Sequence, residues 1–295
     1  MSDAQPPPAA HSHATLGRPR VHLRRTDSTN ERVRELASAG APHGTLVTAA
    51  EQTAGRGRQG RRWSAPAGSA VLMSLLLRWP SSGRPPELLP LMAAIAVCDA
   101  AGEHALIKWP NDVVVDGGEM VADSIAGDEA TTGSGGTAGN EHKAGKDGGA
   151  SLAKLAGILV EARPQQCWAV LGIGLNVAVR LEDLPAELRP GGAQLPGEGS
   201  GLPAATLGLT PADVEPMLAR LIEALERRLA EDAATTLAAW RARDALRDRE
   251  VMWSGGSGRA SGIDGTGRLI VTLADGGSTT LGSGEVHLLE IGQRR

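Results

Sequence analysis

Apolar positions along the chain recur in two rhythms. Short runs at Val21-His-Leu23, Leu46 to Ala50, Ala70 to Leu77, Ile107-Lys108, Val113-Val-Val115, Leu155 to Val160 and Ala169 to Val179 predict strands. The last two are joined by Arg163-Pro-Gln-Gln166, which reads as a hairpin turn. A helical rhythm covers Val33, Leu36 and Ala37, and Gly40 ends it. The Ser28-Thr-Asn-Glu31 segment ahead of that helix predicts a capping box, with Ser28 as the cap and Glu31 reaching back. A second helix is predicted over Leu88 to Ala101, after Pro85-Pro86 and before Gly102. Thr210-Pro-Ala-Asp213 opens a third, whose stripe is Val214, Met217, Leu218, Leu221, Ile222, Leu225 and Leu229. A fourth runs from Thr235 to about Leu246.

The rhythm lapses in four places, and these divide the chain. Residues 1–18 are rich in Pro, Ala and His and are expected to be a disordered tail. Residues 117–151 are dominated by Gly, Ser, Thr and charged side chains and are expected to be a flexible insertion. Residues 182–208 are irregular. From residue 248 the pattern changes to short strands between glycine turns, at Val251, Arg259 to Asp264, Leu269 to Leu273 and Thr279 to Leu281. A large unit over 19–247 and a small β-barrel over 248–295 follow from this division. A unit as small as the second leans on its neighbour for stability.

Composition narrows the picture. Phe and Tyr are absent and the aromatic content is six Trp, so aliphatic side chains must fill the core. The net charge of −4 argues against a surface given over to nucleic acid. No apolar run reaches the roughly 20 residues that span a bilayer, and no signal-peptide pattern stands at Met1, so a cytoplasmic protein is expected. Cys98 and Cys167 lie in apolar runs and read as buried thiols.

Against that acidic background, Glu51-Gln-Thr-Ala-Gly-Arg-Gly-Arg-Gln-Gly-Arg-Arg-Trp63 is exceptional, with three glycines and four arginines in one loop. Glycine permits close wrapping of a backbone, and arginine presents a planar charged fork to phosphate or carboxylate. The loop reads either as a lid over an anionic small molecule or as an Arg/Gly segment that binds RNA. It is not a P-loop, because no Gly-Lys-Ser/Thr follows. Lys108-Trp-Pro-Asn-Asp112 sets a lysine and a carboxylate around a proline turn. Asp112 is a candidate for holding magnesium, which takes one or two carboxylates plus phosphate oxygens, or for accepting a proton. Lys154-Leu-Ala-Gly157 places a lysine near a glycine whose missing side chain leaves room for a ligand. Glu161 reads as structural. Gly172-Ile-Gly-Leu-Asn176 lacks the third glycine and following helix of a dinucleotide fingerprint, so its glycines imply close approach by a ligand or another backbone. No zinc-ligand spacing and no nucleophile elbow is present, so activation of a substrate is expected rather than covalent catalysis by the protein.

Taken together and in this order, the four motifs resemble those of the biotin–protein ligases, over residues from about 20 to 293. The resemblance implies an α+β fold: a mixed β-sheet flanked by helices, of the class II synthetase-like biotin/lipoate ligase type, followed by a small Src-homology-3-like β-barrel. It implies two steps, in which biotin and ATP give biotinyl-5′-AMP and pyrophosphate, and a lysine of a biotin carboxyl carrier protein or domain of an acetyl-CoA or acyl-CoA carboxylase then takes the biotin. ATP, biotin and Mg2+ are the implied small molecules, with no DNA or membrane partner and a monomer or weak homodimer.

The implied site residues carry over one by one. Ser28, Thr29 and Asn30 resemble the segment that holds the ureido end of biotin, and Gln52 a wall of the same pocket. Gly55, Arg56, Gly57 and Arg58 resemble the loop that covers biotin and the adenylate phosphate. Arg61 would face pyrophosphate and Trp63 would pack near adenine. Lys154 resembles the lysine that bridges the biotin carboxylate and α-phosphate, beside Gly157. Lys108, Asn111 and Asn176 go to the nucleotide. Lys154, Arg58 and Asp112 are the expected catalytic groups, with Asp112 also assigned to magnesium. Some relatives carry an N-terminal DNA-binding domain, which the residues before Val21 are too few to form, so DNA regulation is not expected. A lipoate–protein ligase and an RNA-binding protein are the alternatives.

Overall fold

The computed structural model describes residues 16–79, 88–116, 152–190, 202–282, 284 and 286–288. The expected insertion at 117–151, Pro85-Pro86, and residues 1–15 of the expected tail lie outside them. Leu16, inside that tail, is buried in the main core, and its N–H donates to Glu226 at 2.8 Å.

Fourteen strands and four helices follow in the order β1 (Arg20–Leu23), α1 (Thr29–Ser38), β2 (Leu46–Ala49), β3 (Gly55–Arg56), β4 (Arg62–Trp63), β5 (Ala70–Arg78), α2 (Leu89–Ala101), β6 (Leu106–Lys108), β7 (Asp112–Asp116), β8 (Leu152–Arg163), β9 (Trp168–Asn176), α3 (Val214–Ala230), α4 (Ala233–Arg241), β10 (Glu250–Trp253), β11 (Gly256–Ile263), β12 (Leu269–Thr272), β13 (Ser278–Leu281) and β14 (His287–Leu288). Seven strands form one sheet in the order β1-β2-β5-β9-β8-β7-β6. The β1–β2 pair is parallel and the other pairs are antiparallel, so the sheet is mixed as expected.

The two faces of this sheet are divided by the alternation of its central strands. On β5, Val71, Met73, Leu75 and Leu77 belong to the main core. There α2 is apolar all round and buried, packed between the sheet, α3 and α4. The α3 stripe of Met217, Leu218, Leu221, Ala224 and Leu225 closes that side. Leu76 faces the other way, with Val170 and the α1 residues Val33 and Ala37. Ser74 interrupts this second face as a fully buried hydroxyl in an otherwise apolar strand.

Two local expectations change. The Ser28–Glu31 capping box does not form: Ser28 stands at the N-cap without a side-chain bond, while Glu31 turns out to Arg34 and Arg56. Carboxylate–guanidinium attraction competes here with a backbone N–H. The box does form at Thr210 and Asp213, where no arginine competes for the carboxylate. Cys98 is buried, but Cys167 is only partly so, in the β8–β9 turn at φ 53.

The C-terminal strands form a five-stranded antiparallel sheet in the order β13-β12-β11-β10-β14. Among the described residues its outer strands β13 and β14 do not pair, so the expected barrel is not closed. The sheet is joined to the larger unit by specific bonds. Trp109 is buried and donates its indole N–H to Gly267 O at 3.1 Å, and Lys108 donates to Val286 O at 2.7 Å. No helix among the described residues is long and apolar enough to cross a membrane.

Candidate active site

The Arg/Gly loop is a two-stranded hairpin, β3–β4, tipped by a turn at Arg58–Gly60. Its Trp63 lies over Gly157 of β8 and Gly174 of β9. Beneath it lies a hollow of about 120 Å³ whose lining includes Ser28, Thr29, Asn30, Gln52, Arg56, Gly57, Arg58, Arg61, Trp63, Lys108, Asn111, Asp112, Lys154 and Gly157. The structure thus brings together residues from segments far apart in sequence. Arg58 and Lys154 share one hollow. Gly55 and Asn176 are not among the residues lining it. Gly55 is held against β4, paired with Trp63. Asn176 is buried and donates to Ala205 O at 2.8 Å, which turns its amide into a tie between β9 and the 202–209 segment.

A bulge places Lys154. The β7–β8 ladder pairs Val113 with Ala156 and Val114 with Lys154, so Leu155 is an extra residue on β8. In an unbroken strand, Lys154 and Gly157 would face opposite sides. The bulge re-aims the lysine, and both residues line the hollow. Lys154 Nζ is 2.7 Å from Asp112 Oδ1 and 5.8 Å from the centre of the Trp63 ring. Asp112 Oδ1 is buried and takes no hydrogen bond besides that ion pair.

Trp63 lies on a floor made of Gly157 and Gly174, which pair directly across β8 and β9. A Cβ at Gly174 would overlap the indole outright, and one at Gly157 would come to 3.0 Å from it. The expected close approach to the β9 glycines is therefore made by side chains. Trp63 approaches Gly174, and the Asn30 amide lies across Gly172. The Trp63 N–H is buried without a hydrogen-bond partner.

The far wall is polar. Gln52 Oε1 accepts from Thr29 N at 2.8 Å and from Thr29 Oγ1 at 3.1 Å. The Ser74 hydroxyl donates to Asn30 Oδ1 at 2.6 Å and lies 2.7 Å from Thr29 Oγ1. Asn30 Nδ2 donates to Glu161 at 2.9 Å. Sequence reasoning passes over Ser74 and reads Glu161 as structural. For Ser74 the signal was there, as the one hydroxyl inside an apolar strand run. For Glu161 no local signal exists.

The near wall is strongly positive. Arg58 Nη1 donates to Asn111 Oδ1 at 3.1 Å, and Asn111 is itself anchored to Ile158 O at 2.9 Å. Burial lowers the pKa of Arg58, partly offset by Asp112, and Arg61 lowers it further. Burial likewise lowers Lys108, with Asp112 opposing and Lys154 and Arg61 adding to the shift. His287, in the C-terminal sheet, is lowered by burial and then by Lys108 and Arg61. Gly284 and Val286 also line the hollow, so the C-terminal unit contributes to the site. A second hollow of about 800 Å³ shares Arg58, Pro110, Asn111 and Ile158 with the first and is bounded elsewhere by Leu91, Trp109, Gly267 and Arg268.

Comparison with known proteins gives a coherent set. The model of the Biotin/lipoate A/B protein ligase family matches residues 22–177. The biotin–[acetyl-CoA-carboxylase] ligase of Mycobacterium tuberculosis is 30% identical, over 89% of this chain and 86% of that protein. The bifunctional ligase/repressor BirA of Bacillus spizizenii is 34% identical over 55% of this chain, and the match spans only 41% of the Bacillus protein. A biotin protein ligase from Aquifex aeolicus, solved with biotin and ATP, superposes with a TM-score of 0.63 at 22% identity, covering 92% of this chain and 98% of that one. That last likeness establishes the fold. With the family match extending over more than half of its length, the chain belongs to the biotin/lipoate A/B protein ligase family.

Proposed function

We propose that the protein is a biotin–protein ligase, which joins biotin to ATP as biotinyl-5′-AMP and then passes biotin to a lysine of a biotin carboxyl carrier protein. One observation carries the reading: six cationic side chains, Arg56, Arg58, Arg61, Arg62, Lys108 and Lys154, line one hollow against a single carboxylate, Asp112. Such an excess suits the meeting of two anions. In the first step the biotin carboxylate attacks the α-phosphorus of ATP and pyrophosphate leaves. Lys154 would bridge carboxylate and α-phosphate, and Arg58 and Arg61 would meet the phosphates, most strongly where charge develops in the transition state. In the second step the acceptor amine attacks the mixed anhydride and AMP leaves. The polar wall of Ser28, Thr29, Asn30 and Gln52, with Ser74 buried behind it, would face a ureido group.

The hollow at about 120 Å³ is smaller than the ~300 Å³ at which small-molecule pockets begin. The adjoining hollow of about 800 Å³, which shares Arg58, Pro110, Asn111 and Ile158 with it, would supply the further room that biotin and ATP together need. The adenylate hydrolyses readily, and the hairpin over the hollow would exclude water from it.

The residues present suit a magnesium ion on one condition. Asp112 supplies the one lining carboxylate, with an oxygen that takes no hydrogen bond beside the Lys154 ion pair, so nucleotide phosphates and water must complete the shell. Bound there, the ion would neutralise phosphate charge. The deciding experiment is pyrophosphate release from ATP with biotin as the sole co-substrate. Release with biotin is expected. Release with lipoate instead, or retention of RNA without either activity, would overturn the proposal.

A further inference from the structure

Glu161 stands where the pocket wall and the hairpin meet. Its side chain is 17% exposed. One carboxylate oxygen accepts from Asn30 Nδ2 at 2.9 Å, and the other is 3.3 Å from Arg56 Nη1 on β3. Arg56 also reaches Glu31, at 3.4 Å, in a more exposed pair. Thus a single group on the rigid sheet touches both the buried amide behind the pocket and the guanidinium of the hairpin.

The carboxylate fixes more than position. An ionised carboxylate only accepts, so the Asn30 amide must turn its NH2 toward Glu161 and its oxygen toward Ser74. The Ser74 hydroxyl must then donate to Asn30 Oδ1. Its one hydrogen is thereby used, so the 2.7 Å Ser74–Thr29 contact and the 3.1 Å contact to Gln52 Oε1 share the single Thr29 hydroxyl hydrogen. Gln52 Oε1 also receives the Thr29 backbone N–H, so the Gln52 NH2 is left as the end offered elsewhere. Glu161 thus sets the orientation of the Asn30 amide and, through it, the direction of the Ser74–Asn30 bond.

We propose that Glu161 is a positioning residue that ties Arg56 of the hairpin to Asn30 of the pocket wall, so that hairpin closure and the donor–acceptor pattern offered to the substrate are set together. The proposal rests on the ligase reading for its substrate, but the tie itself exists without one. Gly172 is its sterically required companion. Any side chain there would displace the Asn30 amide from its place between Ser74 and Glu161.

Two substitutions separate the roles. Glu161→Gln keeps an oxygen to accept from Asn30 but removes the charge that holds Arg56. Glu161→Ala removes both. Limited trypsin digestion of the full chain without ligand reads the hairpin, whose Arg56, Arg58, Arg61 and Arg62 are cleavage sites. Cleavage there should quicken about two- to five-fold in Glu161→Gln, the scale of one partly exposed ion pair. In pyrophosphate release, the biotin KM should rise about two- to five-fold in Glu161→Gln and about ten-fold or more in Glu161→Ala, with kcat within about two-fold of the parent. Should Glu161→Ala fail to fold, Glu161→Gln carries the test alone. Hairpin cleavage unchanged in Glu161→Gln overturns the tie. A lowered melting temperature with kcat and KM falling off together overturns the positioning role in favour of a structural one. A parent protein that releases no pyrophosphate with biotin sinks the ligase reading instead, and leaves the digestion result to stand by itself.

Discussion

Gly174→Ala and Gly157→Ala test whether the Trp63 ring rests on the strand floor during turnover. The two glycines face each other across β8 and β9, and the same ring covers both. At Gly174 an added methyl would lie 2.7 Å from Trp63 Nε1 and 2.8 Å from Cζ2, well inside contact distance. At Gly157 it would meet Cζ3 at 3.0 Å and the flexible end of Lys154 at 3.2–3.3 Å, which a few tenths of an ångström relieves. Overpacking of the first kind costs about 1–3 kcal/mol. At about 1.4 kcal/mol per tenfold, kcat/KM for biotin should fall about five- to a hundred-fold in Gly174→Ala. The loss in Gly157→Ala should stay below about five-fold. Trp63 belongs to a two-stranded hairpin outside the main core, so neither change should lower the melting temperature by more than a few degrees. The assay is the initial rate of pyrophosphate release against biotin concentration at saturating ATP, with a thermal melt on the same samples. A parental rate in Gly174→Ala, or a greater loss in Gly157→Ala, would show that the ring leaves this floor before chemistry and that the steric reasoning is wrong.

Lys154→Ala should slow adenylate formation by about 10²–10³-fold, the scale for one preorganised charge-stabilising donor, and single-turnover pyrophosphate release measures it; a parental rate would count against the assigned role. Asp99 is held by Arg228, Arg227 and Arg243 between α2, α3 and the end of α4. Burial pushes its carboxyl up, but the arginine bonds outweigh burial and the net shift is downward. Its stabilisation is therefore full above the unfolded carboxylate value of about 3.9 and is lost as pH falls through the lower folded one. Asp99→Asn should cost about 2 kcal/mol at pH 7, discounted for the exposure of Arg227, and the gap in denaturation midpoints should narrow as pH falls below the unfolded carboxylate value of about 3.9. Asp244 is the opposite case, raised chiefly by burial, with one oxygen unpartnered and the other accepting from Leu246 N at 2.9 Å. Its charge costs stability at pH 7, and that cost is relieved as pH falls through the raised folded value. Asp244→Asn should thus gain about 0.5–1 kcal/mol at pH 7, and the gain should shrink toward pH 4, as thermal melts across that range would show.

Local pattern alone determined which segments become strands and helices, because periodicity and glycine breaks act within a few residues. It also determined the four motifs, of which the Arg/Gly loop is the one whose composition suits an anion wherever it sits. Tertiary structure alone decided what faces what. The extra residue at Leu155 turns Lys154 onto the face of Gly157, which an unbroken strand would put on the opposite side. Alternation across β5 buries Ser74 behind Thr29 and Asn30, and the β8 register carries Glu161 to both Asn30 and Arg56. Asn176, two residues beyond Gly174, donates its amide to the Ala205 carbonyl and keeps a buried oxygen without a hydrogen-bond partner. Glu31 prefers arginines to the backbone N–H it was matched with. Apart from Arg34, which shares α1 with Glu31, the deciding partner comes from another element. Period two and period 3.6 say which face a residue takes, and only register and bulges say what meets it there.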